Sequence, residues 1–353
     1  MSMMDSELIQ VRKDEKLNLF TLKPYLSDVF KTDLTNFKLM QFGGGHANLT
    51  YLISFNEMEF VLRRPPIGPI APSAHDMKRE HIVQKALNKK LTIVPNSIHL
   101  CEDINVIGTN FHIIERKKGY VVRKNFPDFI DINKDYINNL TFKSLDILSF
   151  LHLVKPCEVG LEKLGKPEGF VERQLNGWED RWKKSTHSDE LYYAFDKTIK
   201  HLRNKLPNPQ CASILHNDFK WDNIMWSFEN VTEPNAIFDW DMCTIGDPLM
   251  DLGHMLNYWI DDEDPIESKL ITSMPISKII YPRKSEIINY YSKKTGFNVE
   301  NINWYYAFGA FKLAVILQQI YVRFLKGQTS DKRFSNFDKR IEALIKRANS
   351  IKF

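Results

Sequence analysis

The stretch His216–Asn223, with the sequence HNDFKWDN, decides how the rest of the chain is interpreted. It opens a segment in which six aspartates fall within 34 positions among many apolar residues: Asp218, Asp222, Asp239, Asp241, Asp247 and Asp251. A turn between two strands would account for one of these aspartates. Burying several carboxylates in apolar surroundings costs free energy unless cations or hydrogen-bond donors compensate them. The pattern therefore favours a functional site over a set of ordinary turns.

Oxygen-bearing side chains in this order suit the transfer of a phosphoryl group from ATP to a hydroxyl. That reaction needs a carboxylate near the acceptor hydroxyl and oxygen ligands for Mg²⁺. We predict that Asp218 is the catalytic base and that Asn223 and Asp239 are the metal ligands. The separation of five residues between Asp218 and Asn223 equals that in the catalytic loop of protein kinases. The sequence thus predicts an enzyme that uses ATP and Mg²⁺.

Two features in the first third of the chain are candidates for binding the nucleotide phosphates. Gly43, Gly44 and Gly45 lie between two predicted strands, where glycine lets the backbone approach a phosphate. The alternative is that they form only a hairpin turn. Arg63 lies on a following strand, and Glu80 lies among the apolar residues of the next helix. We predict that these two pair, since an unpaired carboxylate is unfavourable there. The alternative is a solvent-exposed Glu80.

The order of predicted elements divides the chain into two lobes. Five strands are predicted in the first third, at residues 37–42, 49–55, 59–64, 93–101 and 106–116. A helix capped by Ser73 is predicted between the third and fourth strands. From residue 136 onward, apolar residues mostly recur at helical spacing. We therefore predict an α+β protein, with residues 1–116 as a small β-rich N-terminal lobe and residues 117–353 as a larger, mainly helical C-terminal lobe.

Composition and charge exclude several other classes of protein. Hydrophobic residues make up 43% of the 353 residues and charged residues 26%, as in soluble globular proteins. The net charge of +4 is spread along the chain, so we expect no nucleic-acid partner. The apolar run 304–325 is divided by Lys312, which predicts a buried helix and no membrane partner. Residues 1–15 lack the apolar run of a signal peptide, and the four cysteines form no CxxC pair. We therefore expect a cytoplasmic protein.

Taken together, these features resemble the aminoglycoside phosphotransferase/choline kinase-like superfamily, closest to the branch found fused to acyl-CoA dehydrogenases. The resemblance rests on residues 44–51, 61–66, 73–76, 79–80, 111–119, 216–223, 238–241, 245–252 and 311–329. It implies a bilobal protein-kinase-like fold, with MgATP as the phosphate donor and a small-molecule hydroxyl as the acceptor. The N-terminal lobe would bind the nucleotide phosphates, and the C-terminal lobe would hold the catalytic loop, the metal ligands and the acceptor site. The branch favours a hydroxyacyl-type acceptor.

The resemblance also implies which residues contact the nucleotide. Arg63 would contact the phosphates, and Asn48, which follows the glycines, belongs to the same nucleotide-binding set. The adenine would lie against the connector between the lobes, beside Ile114. It would exchange hydrogen bonds with the backbone near Glu115 and Lys117.

The resemblance also implies that His216 and Asp251 brace the catalytic loop without reacting.

Two positions depart from the family pattern. Ala47 stands where serine is common in the family, which removes one hydroxyl contact to phosphate. Asn217 stands before the catalytic aspartate, where glycine is more usual.

The acceptor and the activity leave alternatives open. Candidates to line the acceptor pocket are Tyr258, Trp259, Trp304, Tyr305, Lys312 and Arg323, although a packed helical core would have the same composition. A nucleotide-binding pseudokinase with a regulatory or scaffold role is the main alternative to an enzyme. It would be expected to lack Asp218, Asn223 or Asp239, and all three are present. Nucleotidyl transfer on the same fold would release pyrophosphate instead of ADP.

Overall fold

The computed structural model describes residues 7–43, 48–67, 75–186, 189–276, 281–328 and 332–353. The chain forms two compact units. The first unit comprises the described residues up to Tyr120 together with Met225–Cys243. The second comprises Val121–Ile224 and the described residues from Thr244 onward. The protein is 47% helical and 14% strand, with a β-sheet N-terminal region and a helical C-terminal part, which confirms the predicted fold class. The predicted boundary after residue 116 did not include the return of Met225–Cys243 to the first unit.

The first unit is built on a six-stranded antiparallel sheet with the strand order β1-β2-β3-β4-β6-β5. Its strands are β1 (Leu8–Ile9), β2 (Lys38–Phe42), β3 (Leu49–Phe55), β4 (Met58–Arg64), β5 (Ser97–Cys101) and β6 (Phe111–Glu115). Asn56 and Glu57 form the tight turn between β3 and β4, with left-handed φ angles of 49° and 61°. Such a turn matches the twist of the strands that it joins. The register of this hairpin places Arg63 opposite Thr50.

The helices of the first unit are α1 (Leu19–Phe30), α2 (Met77–Leu87) and α3 (Ile104–Ile107). α2 begins after Asp76, whose carboxylate accepts a hydrogen bond from the backbone N–H of Arg79. The predicted helix start is therefore wrong, because His75 has a left-handed φ of 57° that the interior of a helix does not accommodate. Ser73, the predicted cap, lies outside the described residues. α3 also occupies the start of the strand predicted at 106–116, and β6 begins only after it.

The second unit is mainly helical. Its helices are α4 (Lys134–Leu153), α5 (Pro156–Val159), α6 (Phe170–Ser185), α7 (Asp189–Tyr193), α8 (Asp196–Asn204), α9 (Leu249–Tyr258), α10 (Ser268–Ile271), α11 (Lys284–Thr295), α12 (Ile302–Leu325) and α13 (Phe337–Ser350). Within it, β8 (Ser213–Leu215) pairs antiparallel with β11 (Thr244–Gly246). A further small sheet with the order β10-β9-β7 is formed by β7 (Tyr120–Val121), β9 (Ile224–Trp226) and β10 (Pro234–Ile237), and β10 belongs to the first unit.

α12 is the core helix of the second unit. It is long and apolar enough to cross a membrane by length and composition, but more than half of its most apolar stretch is buried inside the protein. α9 packs against it at two glycines. A Cβ atom on Gly253 would lie 2.5 Å from the backbone of Tyr305, and one on Gly309 would lie 2.8 Å from the Gly253 carbonyl oxygen. The two helix backbones therefore approach closely, which brings side chains of both to the loop that follows β8.

Candidate active site

The loop that follows β8 is held by one buried carboxylate on α9. Asp251 is 1% exposed, and its two oxygens accept the backbone N–H groups of His216 at 2.6 Å and of Asn217 at 2.7 Å. The imidazole of His152 on α4 lies 3.2 Å from one of these oxygens. Burial acts to raise the pKa of Asp251, but the hydrogen bond and charge of His152 hold it below its ordinary value. Asp251 thus braces the loop as an ionised acceptor, in agreement with the role expected for it.

The loop turns at Asn217, which has a left-handed φ of 67°. Glycine adopts this conformation at no steric cost, and asparagine is among the few other residues that tolerate it. The departure from the family pattern at this position therefore preserves the local backbone. The carbonyl oxygen of Asn217 accepts a hydrogen bond from Lys312 on α12 at 3.1 Å.

Asp218 follows this turn and is surrounded by nitrogen donors. One carboxylate oxygen lies 2.7 Å from the ammonium of Lys220 and 3.2 Å from the amide nitrogen of Asn223. The other lies 3.9 Å from Nε2 of His254. Burial acts to raise the pKa of Asp218, but the charge and hydrogen bond of Lys220 hold it below its ordinary value. Asp218 is therefore an ionised carboxylate at neutral pH, which is the state that a base or a hydroxyl-orienting group requires.

Asn223 has an oxygen that fits a metal ligand. Its amide nitrogen donates to both the backbone carbonyl of Asp218, at 2.8 Å, and the side chain of the same residue. Because both amide hydrogens are directed into the loop, Oδ1 is the atom that remains to bind a cation. Amide and carboxylate oxygens are the ligands that Mg²⁺ prefers in proteins.

A cavity in the second unit lies beside the catalytic loop. Its lining residues are mostly apolar or aromatic: Phe219, Lys220, Trp221, Met255, Tyr258, Trp259, Ser273 and Met274. Nε1 of the buried Trp221 has no hydrogen-bond partner among the described residues. A buried donor of this kind favours a ligand that brings an acceptor. Tyr258 and Trp259 line this cavity, and their role toward an acceptor stays a prediction.

The other predicted pocket residues have different positions. Trp304 and Tyr305 are buried in the core, where they donate to the carbonyl of Leu202 and to the carboxylate of Asp247. Lys312 contacts the backbone of the loop, and Arg323 is exposed. Helical spacing alone does not distinguish the three buried positions, Trp304, Tyr305 and Lys312, from pocket walls.

Asp239 belongs to the first unit, where it contacts Arg63. Nη2 of Arg63 donates to a carboxylate oxygen of Asp239 at 2.5 Å, and Nε of Arg63 lies 3.0 Å from Oε2 of Glu80. The predicted Arg63–Glu80 ion pair is therefore confirmed, and Glu80 is 1% exposed. The same Glu80 oxygen lies 3.6 Å from Nε2 of the buried His112. Burial acts to raise the pKa of Glu80, but Arg63 and His112 lower it to about 2.

The remaining nucleotide-binding candidates are described only in part. Gly44 and Gly45 lie outside the described residues, while Gly43 donates its N–H to the Glu7 carbonyl at 2.8 Å. Asn48 is 4% exposed, and neither side-chain atom of its amide has a hydrogen-bond partner among the described residues. Leaving a buried amide unpaired costs about 1–3 kcal/mol per group, so its position favours a ligand.

The connector residues lie at the end of β6. Ile114 is buried, and the Lys117 ammonium forms an ion pair with the Glu115 carboxylate at 2.8 Å. The backbone N–H of Glu115 donates to the Asn96 carbonyl at 2.9 Å. That N–H is therefore already used within the first unit, and the role of these residues toward adenine stays a prediction.

Sequence reasoning missed three charged or polar side chains around the loop and the ion pair: Lys220, His254 and His112. Each acts through a partner that is close in space, and for His254 and His112 that partner is more than 30 residues away in the sequence. Lys220 alone had a local signal, since it stands two residues after Asp218.

The chain matches a family model and several curated proteins. The model described as the phosphotransferase enzyme family matches residues 38–270. The chain is 30% identical over 341 residues to acyl-CoA dehydrogenase family member 10 of Mus musculus, covering 96% of this chain and 31% of that protein. It is 29% identical over 315 residues to acyl-CoA dehydrogenase family member 11 of Gallus gallus, covering 87% and 39% respectively. The chain thus spans about two fifths or less of the length of these relatives.

Solved structures share the fold. A protein of Ralstonia eutropha assigned to the aminoglycoside phosphotransferases has a TM-score of 0.76 at 24% identity, covering 96% of this chain and 100% of that one. A ternary complex of APH(4)-Ia with AMP-PNP and hygromycin B has a TM-score of 0.59 at 12% identity, covering 94% and 99%. A choline kinase of Cryptosporidium parvum has a TM-score of 0.58 at 14% identity, covering 89% and 92%. The family model covers most of the chain, and this protein therefore belongs to the phosphotransferase enzyme family.

Proposed function

We propose that this protein is an ATP- and Mg²⁺-dependent phosphotransferase that phosphorylates a hydroxyl group of a small-molecule metabolite. The observation that carries the proposal is the loop after β8. It presents an ionised Asp218 and a free Asn223 oxygen from a backbone that Asp251 fixes through two hydrogen bonds. Ionisable groups with shifted pKa values and specific charge partners cluster at functional sites, which supports a catalytic role for this loop.

In the proposed reaction, the acceptor hydroxyl oxygen forms a bond to the γ-phosphorus of ATP, and the bond from that phosphorus to the β–γ bridging oxygen breaks. ADP leaves, and the hydroxyl proton passes to the carboxylate of Asp218. Lys220 keeps Asp218 ionised and is placed to offset negative charge as the phosphoryl group transfers. ATP and the acceptor are the two reactants that this reaction requires, and its products are ADP and the phosphorylated acceptor.

Asn223 and Asp239 would hold Mg²⁺, and Arg63 would bind the nucleotide phosphates together with Gly43, Gly44, Gly45 and Asn48. When bound, Mg²⁺ supplies positive charge that neutralises the phosphate oxygens. Arg63 is suited to its role because Glu80 fixes its guanidinium, which is always charged. The amide of Asn48, which has no hydrogen-bond partner among the described residues, is the second observation in favour of a ligand in the first unit.

The adenine contacts and the cellular location remain parts of the same proposal. We place the adenine beside Ile114 and near the backbone of Glu115 and Lys117. Binding of AMP-PNP by a structural relative supports a nucleotide at this fold.

We place the protein in the cytoplasm on composition alone.

For the acceptor, we propose a hydroxyacyl-type metabolite. The cavity beside the loop has apolar and aromatic walls, and the charged residue that lines it is Lys220, a cation. Lys220 forms an ion pair with Asp218 at 2.7 Å, which offsets its charge, so the apolar and aromatic walls are the feature that favours an acceptor with an apolar part. The acyl-CoA dehydrogenase relatives are consistent with this class of acceptor.

The first experiment is the release of ADP and of pyrophosphate from MgATP in the presence of separate acceptors. The panel contains hydroxyacids, their CoA esters, choline, sugars and aminoglycosides. We expect ADP release that depends on a hydroxyacyl acceptor and a KM for that acceptor that rises in a Trp259→Ala variant. ADP release with another acceptor would overturn only the substrate class. Pyrophosphate release would point to nucleotidyl transfer, and nucleotide binding with no turnover across the panel would favour a pseudokinase with a regulatory or scaffold role.

A further inference from the structure

Lys312 is a buried cation in the middle of the apolar helix α12. Its side chain is 5% exposed, and it forms no ion pair with any carboxylate among the described residues. Burying an ammonium costs several kcal/mol unless other groups compensate it, so lysine is rarely fully buried. A methionine or leucine at this position would suit the helix better. A buried lysine at this position therefore points to a role that an apolar side chain does not perform.

The contacts of Lys312 connect α12 to the catalytic loop. Its ammonium donates to the carbonyl oxygen of Asn217 at 3.1 Å and lies 5.7 Å from the ring centre of Trp178 on α6. The aromatic face offsets part of the cost of burying the charge. The hydrogen bond is the contact through which Lys312 acts on the loop.

The peptide group that joins Asn217 to Asp218 is held from both sides. Its carbonyl oxygen accepts from Lys312, and its N–H, which belongs to Asp218, lies 3.3 Å from Nδ1 of His216. A peptide group is planar, so fixing its two polar atoms fixes the N–Cα bond of the next residue and limits the directions in which its side chain leaves. The next side chain is the carboxylate of Asp218. Lys312 therefore restricts the orientation of this carboxylate through the backbone, while Lys220 and Asn223 contact the carboxylate itself.

We propose that Lys312 is a positioning residue for phosphoryl transfer, which holds the Asn217–Asp218 peptide so that the Asp218 carboxylate faces the acceptor hydroxyl. The proposal rests on the proposed function of Asp218. The charged and titratable groups that act on Lys312 are Asp218 in the loop, Asp251 and His254 on α9, and Arg181 on α6. Burial lowers the pKa of Lys312 to about 8, while Asp251 and Asp218 act to raise it. Its charge is present at neutral pH and is lost as the pH rises through about 8.

The chain offers a matched control on the same helix. Gln318 is 4% exposed, and its amide nitrogen donates to the Ser185 carbonyl at 3.1 Å. The variants Lys312→Met and Gln318→Met each remove one buried donor to a backbone carbonyl of the second unit. Only the first touches the catalytic loop. A merely structural role for Lys312 would give the two variants similar properties.

Hydrogen exchange of the peptide that covers residues 213–223 tests the positioning role without requiring activity. We expect Lys312→Met to speed exchange in this peptide and Gln318→Met to leave it unchanged. Unchanged exchange in Lys312→Met would overturn the proposal. If Lys312→Met exchanges faster but the wild-type protein transfers no phosphate, the result supports the positioning of the loop by Lys312. It would then contradict the proposed function.

Steady-state kinetics give the second measurement. We expect Lys312→Met to lower kcat by about 10- to 100-fold at pH 7, with the KM for ATP changed less than twofold, because a misplaced reacting group costs rate and not binding. Wild-type kcat should fall as the pH rises through about 8, and this limb should be absent in Lys312→Met. The melting temperature of this variant should match or exceed that of wild type, since the buried charge is gone. A kcat equal to that of Gln318→Met would overturn the proposal.

Discussion

Arg63 and Asp239 are 176 residues apart in the sequence, yet a guanidinium nitrogen of Arg63 donates to a carboxylate oxygen of Asp239 at 2.5 Å. Arg63 also pairs with Glu80 at 3.0 Å, so its guanidinium is fixed from two sides within the first unit. A side chain held in this way loses little further freedom when it binds an anion. The pair therefore links a residue proposed to bind phosphate with a residue proposed to bind Mg²⁺.

Replacement of Arg63 tests the nucleotide-binding role. We expect Arg63→Met to weaken MgATP binding by at least about tenfold, since a charge-assisted hydrogen bond contributes about 1.5–3 kcal/mol. Arg63→Lys should lose less affinity for MgATP, because lysine keeps the positive charge but replaces the planar guanidinium with a single ammonium. Isothermal titration with MgATP measures both variants, and Lys31→Met, which removes a 78% exposed cation paired with Asp28, is the control. Equal affinity in Arg63→Met and wild type would remove Arg63 from the nucleotide site.

Glu80 should contribute an acid-sensitive part of the stability. Its pKa in the folded protein is lowered to about 2, below the value near 4.5 of an unfolded chain. The stabilisation is therefore fully present above pH 4.5 and is lost as the pH falls from there toward about 2. Glu80→Gln should cost about 1.5–3 kcal/mol at pH 7, because Arg63 loses one of its two carboxylate partners, and less at pH 3.

Urea unfolding at pH 7 and pH 3 measures this difference. Glu102→Gln is the matched control, since Glu102 is 54% exposed and pairs with Lys78 in solvent. Its cost should stay within about 1 kcal/mol at either pH. If Glu80→Gln and Glu102→Gln lower the free energy of unfolding by the same small amount, the Arg63–Glu80 pair is not a significant source of stability.

The hydrogen bonds between Asp251 and the loop after β8 should be sensitive to the replacement of a single carboxylate oxygen. Asp251→Asn replaces one acceptor oxygen with an NH₂ group that faces a backbone N–H, so one of the hydrogen bonds to His216 and Asn217 is lost. We expect a loss of about 3 kcal/mol or more of stability and a fall in kcat. Thermal unfolding and turnover are measured on the same samples. Wild-type values of both in Asp251→Asn would mean that the loop does not depend on this carboxylate.

The close approach of α9 and α12 predicts opposite effects for two helical glycines. A Cβ atom on Gly253 would lie 2.5 Å from the backbone of Tyr305, whereas one on Gly177 in α6 would lie 3.6 Å from the nearest atom, the flexible end of Arg181. Gly253→Ala should cost about 1–3 kcal/mol through overpacking. Gly177→Ala should gain about 0.5–1 kcal/mol through helix propensity. Chemical denaturation measures the free energy of unfolding of both variants. An unchanged free energy of unfolding in Gly253→Ala would contradict the close approach of α9 and α12.

Much of the fold could be predicted because its signals are local. The hairpin at Asn56 and Glu57 follows from two alternating strands with turn residues between them, and α2 follows from apolar residues at helical spacing. The Arg63–Glu80 pair was also predictable, since a carboxylate on an apolar stripe requires a cation. The spacing of Asp218 and Asn223 pointed to the catalytic loop in the same way.

The features that were missed depend on contacts between distant residues. The return of Met225–Cys243 to the first unit is decided by packing, for which the sequence carries no periodic signal. The start of α2 depends on the left-handed backbone of His75, which histidine adopts only in context. Lys312 was visible as a charge inside an apolar helix, but its partner, the Asn217 carbonyl, is 95 residues away and has no side-chain signature.

The most direct test of the proposed function is the transfer of label from γ-labelled ATP to the acceptor by wild type and by Asp218→Asn. We expect wild type to form one labelled product per ADP. Asp218→Asn should do so at least about 100-fold more slowly, while binding MgATP with unchanged affinity, since a base acts on the rate of transfer. Asp28→Asn, which changes a 79% exposed carboxylate, serves as the control and should keep full activity. Label transfer at the wild-type rate in Asp218→Asn would contradict the assignment of Asp218 as the base, and its absence from wild type with every acceptor would contradict the phosphotransferase itself.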